Sequence, residues 1–268
     1  MRTARAVLLG ALHGPAELVP VSSSAHVALV PWLLGWQRDL DPARRKELEV
    51  LLHAGTGIAL GWVLRREALG ALRRLDGRRV VLHLLALGIP SAVGLALEEQ
   101  IEERLGTPEA AAAGLAAGAL LLLAADALPE GSRTAVGAGP VDGLLLGIAQ
   151  AAALAPGVSR RGATLAVARM RGYSRGEAGS LSWEVALPVL AAATALKGRR
   201  VLAHPPAREA RGALAAGAVA SGASTLLAAP LLRAVERGPW WPFAAERLGL
   251  AAVTVARSRR IACEDRSR

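Results

Sequence analysis

Several long stretches of the chain carry no Asp, Glu, Lys or Arg, and they constrain the fold more than any other feature. They include residues 80–97, 110–125, 143–158 and 212–232, and the first of these contains one histidine, His83. A helix needs about 20 apolar residues to cross a bilayer, so these stretches are at or slightly below the spanning length. Because backbone polar groups must be satisfied internally in lipid, they predict an all-α integral membrane protein, a multi-spanning helical bundle.

The distribution of charge supports this membrane assignment. The net charge is +10, and basic side chains cluster in the connections 65–79 and 197–211, whereas residues 98–109 are acidic. That distribution is typical of multi-spanning proteins with positively charged inner loops. A nucleic-acid partner is not expected, because no aromatic or glycine-rich binding face accompanies the charge. The lone cysteine, Cys263, excludes a cysteine-based metal site.

Ten apolar helices are predicted along a single polytopic domain, residues 1–257. They cover about residues 6–12, 18–36, 48–64, 80–97, 110–128, 143–155, 163–172, 178–196, 212–233 and 243–257. The first of these follows Arg2 and Arg5 as a signal peptide would, but it is short and polar residues follow at once, so we expect no cleavage. The C-terminal tail, 258–268, is polar and is predicted to be disordered.

Two segments of the chain resemble each other and predict an internal duplication. They read "LGALHGPAELVPVSSSAHVAL" and "LGIAQAAALAPGVSRRGATLAV". Each starts Leu-Gly, carries a polar side chain three residues after that glycine (His13 and Gln150), and then reaches a proline and a serine-containing turn. Broken hydrophobic segments in corresponding positions are typical of inverted repeats. We therefore predict two inverted repeats, about 1–128 and 141–257, each with a re-entrant helix–loop–helix.

The polar tips of these repeats predict a phosphate site. "PVSSSAH" and "PGVSRRGAT" each lead into an apolar run, so backbone N–H groups and serine hydroxyls would face an anion at a helix N-terminus. Phosphate suits such a nest of donors. The guanidinium of Arg160 matches phosphate oxygens. Arg169, Arg171 and Arg175 are interpreted instead as interfacial side chains that reach lipid headgroups.

Acid–base side chains accompany the serines of the first tip. Glu17 is interpreted as a metal ligand or general base, in preference to a carboxylate that only caps the turn. His26 is a candidate acid, base or nucleophile. His53 and His83 lie in apolar runs and are predicted to be structural, with His53 a candidate for the site wall. The combination predicts hydrolysis of a lipid-linked phosphate or diphosphate.

Two motifs in this order resemble a known family. "AELVPVSSSAH" is similar to the E-F-L-P-[IV]-S-S-[ST]-G-H signature of the bacterial undecaprenyl-diphosphate phosphatases, the bacitracin-resistance family. "PGVSRRGAT" is similar to that family's P-G-x-S-R-S-G-x-T, and the late "PFAAERLGL" to its P-F-A-x-Y-R segment. The resemblance implies a plasma-membrane enzyme, open to the outer face, that removes the terminal phosphate of undecaprenyl diphosphate and recycles this lipid carrier for peptidoglycan synthesis.

The resemblance also implies ligands and individual roles. It implies a divalent cation, Mg²⁺ or Ca²⁺, and bacitracin as a competitor for the substrate, while a homodimer is one of several oligomeric states left open. The catalytic residues would be Glu17, Ser23, His26 and Arg160. The phosphate-binding residues would be Ser22, Ser24, Gly157, Ser159, Arg160 and Thr164. The metal ligands would be Glu17 and His13.

Several positions depart from the family pattern. His13 stands where the family has a first glutamate, which removes one negative charge and leaves the metal requirement open. Arg161 replaces the second serine of S-R-S-G and Glu184 stands at an apolar position, so we predict that these two side chains pair. Glu246 replaces the family's late tyrosine and is predicted to form a local pair with Arg247.

Two other functions fit the same residues. A transporter or flippase of polyprenyl phosphate would need the arginine clamp and the N–H nest around a midplane site, but it would not need Glu17 and His26. A degenerate homologue that binds the lipid diphosphate without turnover would account for His13 and Arg161. Because the other catalytic matches are intact, hydrolysis is the preferred function.

Overall fold

A computed structural model of the chain describes residues 2–36, 42–203 and 205–266. Within those residues the protein is a bundle of twelve α-helices without a β-strand. The helices are α1 (Thr3–Leu18), α2 (Ser23–Leu33), α3 (Pro42–Val63), α4 (Arg65–Arg73), α5 (Gly77–Leu105), α6 (Pro108–Asp126), α7 (Pro140–Ala152), α8 (Arg160–Met170), α9 (Arg175–Ala203), α10 (Arg208–Ala228), α11 (Leu231–Arg237) and α12 (Trp241–Arg266). The prediction of an all-α membrane protein is confirmed.

Two helices are long and apolar enough to cross a membrane on their own. They are α6 and the part of α5 between Gly77 and Leu97. Two further candidates are bent pairs: α3 with α4, at an angle of 65°, and α10 with α11, at an angle of 50°. By length and composition, the described residues therefore contain two candidate spans, or up to four if each bent pair forms one span.

The two polar tips predicted from the sequence lie at breaks between helices. The first break, residues 19–22, separates α1 from α2, and the second break, residues 153–159, separates α7 from α8. Ser22 in the first break has a φ of 76°, which is uncommon for a residue with a side chain. Gly157 in the second break has a φ of 87°, which glycine adopts readily. Each break therefore turns the chain sharply before a new helix begins.

The packing partners of the helices are reciprocal between the first and second halves of the chain. α1 packs mainly against α10, and α7, its counterpart in the second half, packs mainly against α5. α6 and α12, which end the two halves, pack against each other. The polar residues that align the halves, His13 on α1 and Gln150 on α7, are both buried. A duplication would produce equivalent packing partners in the two halves. The inverted repeats and their boundaries stay a prediction.

Small residues let helices around the first break approach each other closely. A Cβ added at Gly55 of α3 would overlap the carbonyl oxygen of Ala218 on α10, and one at Gly10 of α1 would overlap that of Gly217. Close backbone packing of this kind is a main source of helix association in lipid, where no hydrophobic force acts between helices. α10 therefore fixes α1 and α3 relative to each other.

Gly55→Ala is expected to lower the thermal midpoint of the purified protein in detergent, because α3 would have to move away from α10. Overpacking of this kind costs about 1–3 kcal/mol. Gly61 lies on the same helix, and an added Cβ there meets nothing within 4 Å. Gly61→Ala is therefore the matched control and should not lower the midpoint. Equal midpoints for the two variants would contradict the close contact between α3 and α10.

The C-terminal tail is helical, contrary to the prediction of disorder. α12 continues to Arg266, and the last two residues of the chain lie outside the described residues. The tail contains Arg, Ala and Glu, which have good helix propensity, and extending an existing helix avoids the cost of nucleating a new one.

Candidate active site

The two breaks meet around one buried arginine. Arg247 on α12 donates to the carbonyl of Pro20 in the first break at 3.2 Å and to that of Gly157 in the second at 3.0 Å. It also donates to the carbonyls of Leu115 at 3.2 Å and Gly114 at 3.4 Å, both on α6. The carbonyls of Pro20 and Gly157 lie in the breaks, where a helix leaves such groups without intrahelical partners. A single guanidinium therefore holds both breaks against α6.

Glu17, near the end of α1, contacts polar side chains that follow both breaks. Arg160, the first residue of α8, donates to one carboxylate oxygen at 2.5 Å. Ser23, the first residue of α2, donates to the other oxygen. The Glu17 side chain is 9% exposed and the Arg160 side chain 24%, so water screens this ion pair only weakly. The structure thus brings together three of the four predicted catalytic residues.

Two histidines stand beside Glu17. One ligand atom each from His13, His53 and Glu17 lie within 4.8 Å of one another, close enough to share a metal ion. Nδ1 of His13 is hydrogen-bonded to the Thr56 hydroxyl at 2.9 Å, and Nδ1 of His53 donates to the Glu49 carbonyl at 2.8 Å. In metal sites, hydrogen bonds of this kind orient the ring and favour Nε2 as the ligand atom. His53, a candidate for the site wall, does line the site.

His26, the fourth predicted catalytic residue, lies in the first turn of α2 and has two partners. Its Nδ1 donates to the Ser22 carbonyl at 2.8 Å, and its Nε2 lies 2.8 Å from a carboxylate oxygen of Glu246 on α12. The predicted local pair between Glu246 and Arg247 is therefore wrong. Successive residues of a helix point in different directions, so Arg247 reaches the breaks while Glu246 reaches His26.

Ser22 and Ser24 flank Ser23 at the N-terminus of α2. Their hydroxyls lie 3.4 Å apart, and Ser24 is exposed whereas Ser22 is buried. The first N–H groups of a helix lack intrahelical partners, so this tip offers donors to an anion next to Glu17. The left-handed backbone of Ser22 fits this location, because residues in sparsely populated conformations concentrate at functional sites.

The other predicted phosphate-binding residues belong to the second break and α8. The Ser159 hydroxyl caps α8 by accepting from the Gly162 N–H at 3.1 Å. Thr164 is buried, and its hydroxyl lies 2.6 Å from the hydroxyl of Ser182 on α9. Together with Gly157, these residues shape the break and hold α8 in place. Their direct contact with phosphate stays a prediction.

Arg161 does not pair with Glu184, and that prediction is wrong. Arg161 is buried, and its guanidinium stacks over the Trp183 ring, 4.2 Å from the ring centroid. Glu184 instead accepts from Arg79 at 2.6 Å and lies 3.4 Å from His83. Trp183 and Glu184 are successive residues of α9, so they face different neighbours, α8 and α5.

The arginines assigned to the lipid interface contact the protein instead, which corrects that interpretation. Arg169 is buried and donates to three backbone carbonyls. Arg171 forms an ion pair with Asp142 at 3.0 Å, and Arg175 forms one with Asp126 at 2.7 Å. These three side chains tie the end of α8 and the start of α9 to α6, to α7 and to the segment between them.

Comparison with known proteins identifies the family. A sequence model of the family described as bacitracin resistance protein BacA matches residues 6–253. The chain belongs to the BacA family. It is similar to the protein named undecaprenyl-diphosphatase of Geobacter metallireducens, with 36% identity over 92% of this chain and 95% of the relative. Proteins with the same name from Geobacter sulfurreducens and Gemmatimonas aurantiaca are 38% and 36% identical, over 91% and 94% of this chain and 93% and 96% of the relatives.

The sequence alone does not assign Arg247 or Glu246 to this BacA-family site, and it gives His53 only as a candidate for the site wall. The available signal was an ionisable residue inside an apolar segment, which marks functional positions in membrane proteins. An ionisable residue in such a segment needs a partner. Which partner it contacts depends on the rotation of α3 and α12 about their own axes, which the sequence does not give.

Proposed function

We propose that this BacA-family protein is an undecaprenyl-diphosphatase, which hydrolyses undecaprenyl diphosphate to the monophosphate and inorganic phosphate. The observation that carries the proposal is the contact of one carboxylate, Glu17, with both Ser23 and Arg160 where two helices begin. A carboxylate hydrogen-bonded to a serine hydroxyl is an arrangement that activates a nucleophile. A transporter of the same lipid would need the cationic clamp but not that pairing. The lipid itself is taken from the names of the relatives.

The ion pair between Arg160 and Glu17 supports complementary roles for the two side chains in this proposal. Without substrate, the two side chains neutralise each other. When the terminal phosphate enters, the planar guanidinium of Arg160 turns to its oxygens, which it matches in pairs. The N-terminal N–H groups of α2 and α8 add donors to the same anion. Glu17 is thereby released from its ion pair and becomes available as a base for Ser23.

The bond changes then follow in two steps. Glu17 accepts the Ser23 proton, Ser23 Oγ bonds to the terminal phosphorus, and the anhydride P–O bond breaks, so undecaprenyl monophosphate leaves. Water next attacks the phosphorus, the serine–phosphate bond breaks, and Glu17 returns the proton to Ser23 Oγ. Inorganic phosphate leaves with the hydroxyl of the water, and the remaining proton goes to solvent.

The residues around Glu17 also fit a divalent cation, which we propose as the cofactor. His13, His53 and Glu17 would hold it, and when bound it would supply positive charge to the diphosphate. Two imidazoles and a carboxylate suit ions that accept nitrogen ligands, such as Mn²⁺ or Zn²⁺, better than the Mg²⁺ or Ca²⁺ expected from the resemblance. The replacement of a family glutamate by His13 is the reason for this difference.

His53→Ala is expected to weaken Mn²⁺ binding by at least about tenfold, because one of three protein ligands is removed. The measurement is a Mn²⁺ titration of the purified protein, followed by calorimetry or by the electron paramagnetic resonance signal of free Mn²⁺. His83→Ala is the matched control, since His83 lies against Glu184 and not against Glu17. The metal site is wrong if both variants bind Mn²⁺ as the wild type does.

We also propose a location and partners for the protein. The apolar helices belong in the bacterial plasma membrane, with the site open to the outer face. Bacitracin would compete with the protein for the same lipid diphosphate, and two copies would form a homodimer. Protection of the substrate by bacitracin and the mass of the protein in detergent test these two statements separately.

The proposed function is tested by phosphate release from undecaprenyl diphosphate by the purified protein, with and without Mn²⁺. We expect release from the diphosphate and none from undecaprenyl monophosphate, which has no anhydride bond and serves as the matched substrate control. If the folded protein binds the diphosphate but releases no phosphate, the lipid-carrier or non-catalytic alternative replaces the enzyme.

A further inference from the structure

The contact between His26 and Glu246 has no counterpart in the family pattern. That pattern, P-F-A-x-Y-R, has a tyrosine where this chain has Glu246. The carboxylate lies 2.8 Å from Nε2 of His26, across 220 residues of sequence. The His26 side chain is 10% exposed and that of Glu246 is 39%. The contact therefore joins a buried ring at the start of α2 to a carboxylate at the water-accessible edge of the site.

The hydrogen-bond partners of His26 define its protonation. A backbone carbonyl can only accept, so Nδ1, which contacts the Ser22 carbonyl, must carry a hydrogen. An ionised carboxylate can also only accept, so Nε2 carries a second hydrogen whenever Glu246 is ionised. The ring is then an imidazolium cation. It has no lone pair with which to act as a nucleophile or a base.

A cation in this position needs a compensating charge. The N-terminus of a helix is its positive end, and His26 lies in the first turn of α2, where a positive side chain is disfavoured. Among the described residues, Arg247 also lies near the ring, but its guanidinium is directed to four backbone carbonyls. Glu246 is therefore the group on α12 that offsets the positive charge of His26.

Two of the departures from the family pattern, His13 and Glu246, balance each other in charge. His13 removes a negative charge beside Glu17, and Glu246 adds one beside His26. The number of carboxylates near Ser22, Ser23 and Ser24 is thus the same as in the family pattern. One of them, however, lies beside His26 instead of at position 13. An uncharged tyrosine at position 246 would not hold the proton on Nε2 in the same way.

We propose that Glu246 is a positioning residue that keeps His26 as a fixed cation beside the serine tip. Its charge and orientation attract and hold the diphosphate, while Glu17 and Ser23 carry out the proton transfer and bond formation. This inference rests on the proposed function for its kinetic consequence, but the charge of His26 can be measured without turnover.

The kinetic test compares the pH dependence of kcat/KM for the wild type with Glu246→Gln and Glu246→Tyr. Loss of the carboxylate lets His26 lose its proton more easily, so the alkaline limb is expected to move to lower pH by about one unit. Glu264→Gln, at an exposed position of the same helix, is the matched control and should leave the limb in place. An unchanged limb in Glu246→Gln overturns the proposal.

The second test records ¹⁵N spectra of histidine-labelled protein in detergent at pH 7.5, with His26→Gln identifying the His26 signals. We expect both ring nitrogens of His26 to be protonated in the wild type and only Nδ1 to be protonated in Glu246→Gln. A neutral His26 ring in the wild type overturns the inference. Failure of phosphate release with an imidazolium still present would instead remove the proposed function and leave the His26–Glu246 pair standing.

Discussion

Glu17→Gln is expected to reduce kcat for phosphate release by about 1,000-fold or more, because the substitution removes the base that accepts the Ser23 proton. Glutamine keeps the size and one oxygen of the side chain, so the packing of α1 is preserved. The amide, however, neither accepts a proton nor attracts Arg160 as a carboxylate does. Steady-state phosphate release at saturating lipid measures the effect, and a kcat within tenfold of the wild type would exclude Glu17 as the base.

The control for Glu17→Gln separates catalysis from stability. The single substitution leaves Arg160 partly buried without its ion-pair partner, and an unpaired buried charge destabilises a protein. The double variant Glu17→Gln, Arg160→Gln removes that unpaired charge, so its thermal midpoint should recover relative to Glu17→Gln. Its activity should not recover. Recovery of both quantities together would mean that the pair is structural and that the activity loss came from misfolding.

The polar core of the site could be predicted because both of its parts leave a clear mark in the sequence. Glu17 and Ser23 belong to one interrupted apolar segment and Arg160 to the other, and serines and prolines mark both interruptions. Two breaks in corresponding halves of a membrane protein tend to meet, since each leaves backbone groups that only the protein can satisfy. The meeting of Glu17 with Arg160, 143 residues apart, follows from that tendency.

Side-chain pairs between neighbouring helices could not be predicted in the same way. Arg161 and Glu184 are complementary in charge, but each side chain of a helix faces only one neighbouring helix. On α9, Trp183 faces α8 and Glu184 faces α5. The surroundings of His53 could not be predicted for the same reason. The sequence of an apolar helix does not indicate whether an isolated histidine faces lipid, a hydroxyl group or a metal, because this depends on the rotation of α3 about its axis.

Arg247→Lys is expected to have a second large effect, because it lowers both the stability and the activity of the protein. Arg247→Lys keeps the positive charge, but lysine offers three donors at one point and cannot reproduce the planar fork that spans both breaks and α6. The carbonyls of Pro20 and Gly157 in the two breaks would lose this donor, and each buried carbonyl left unpaired costs about 1–3 kcal/mol.

The expected result for Arg247→Lys is a loss of about 4 kcal/mol in the free energy of unfolding, the middle of the range for two unpaired carbonyls. Phosphate release should fall as well, because the breaks that Arg247 joins carry Ser23 and Arg160 to Glu17. Thermal unfolding in detergent and phosphate release measure the two effects, and Arg260→Lys, at an exposed position of α12, is the matched control. A variant with wild-type stability would show that the two breaks hold together without Arg247, whereas lost stability with full activity would show that Glu17, Ser23 and Arg160 are positioned by other contacts.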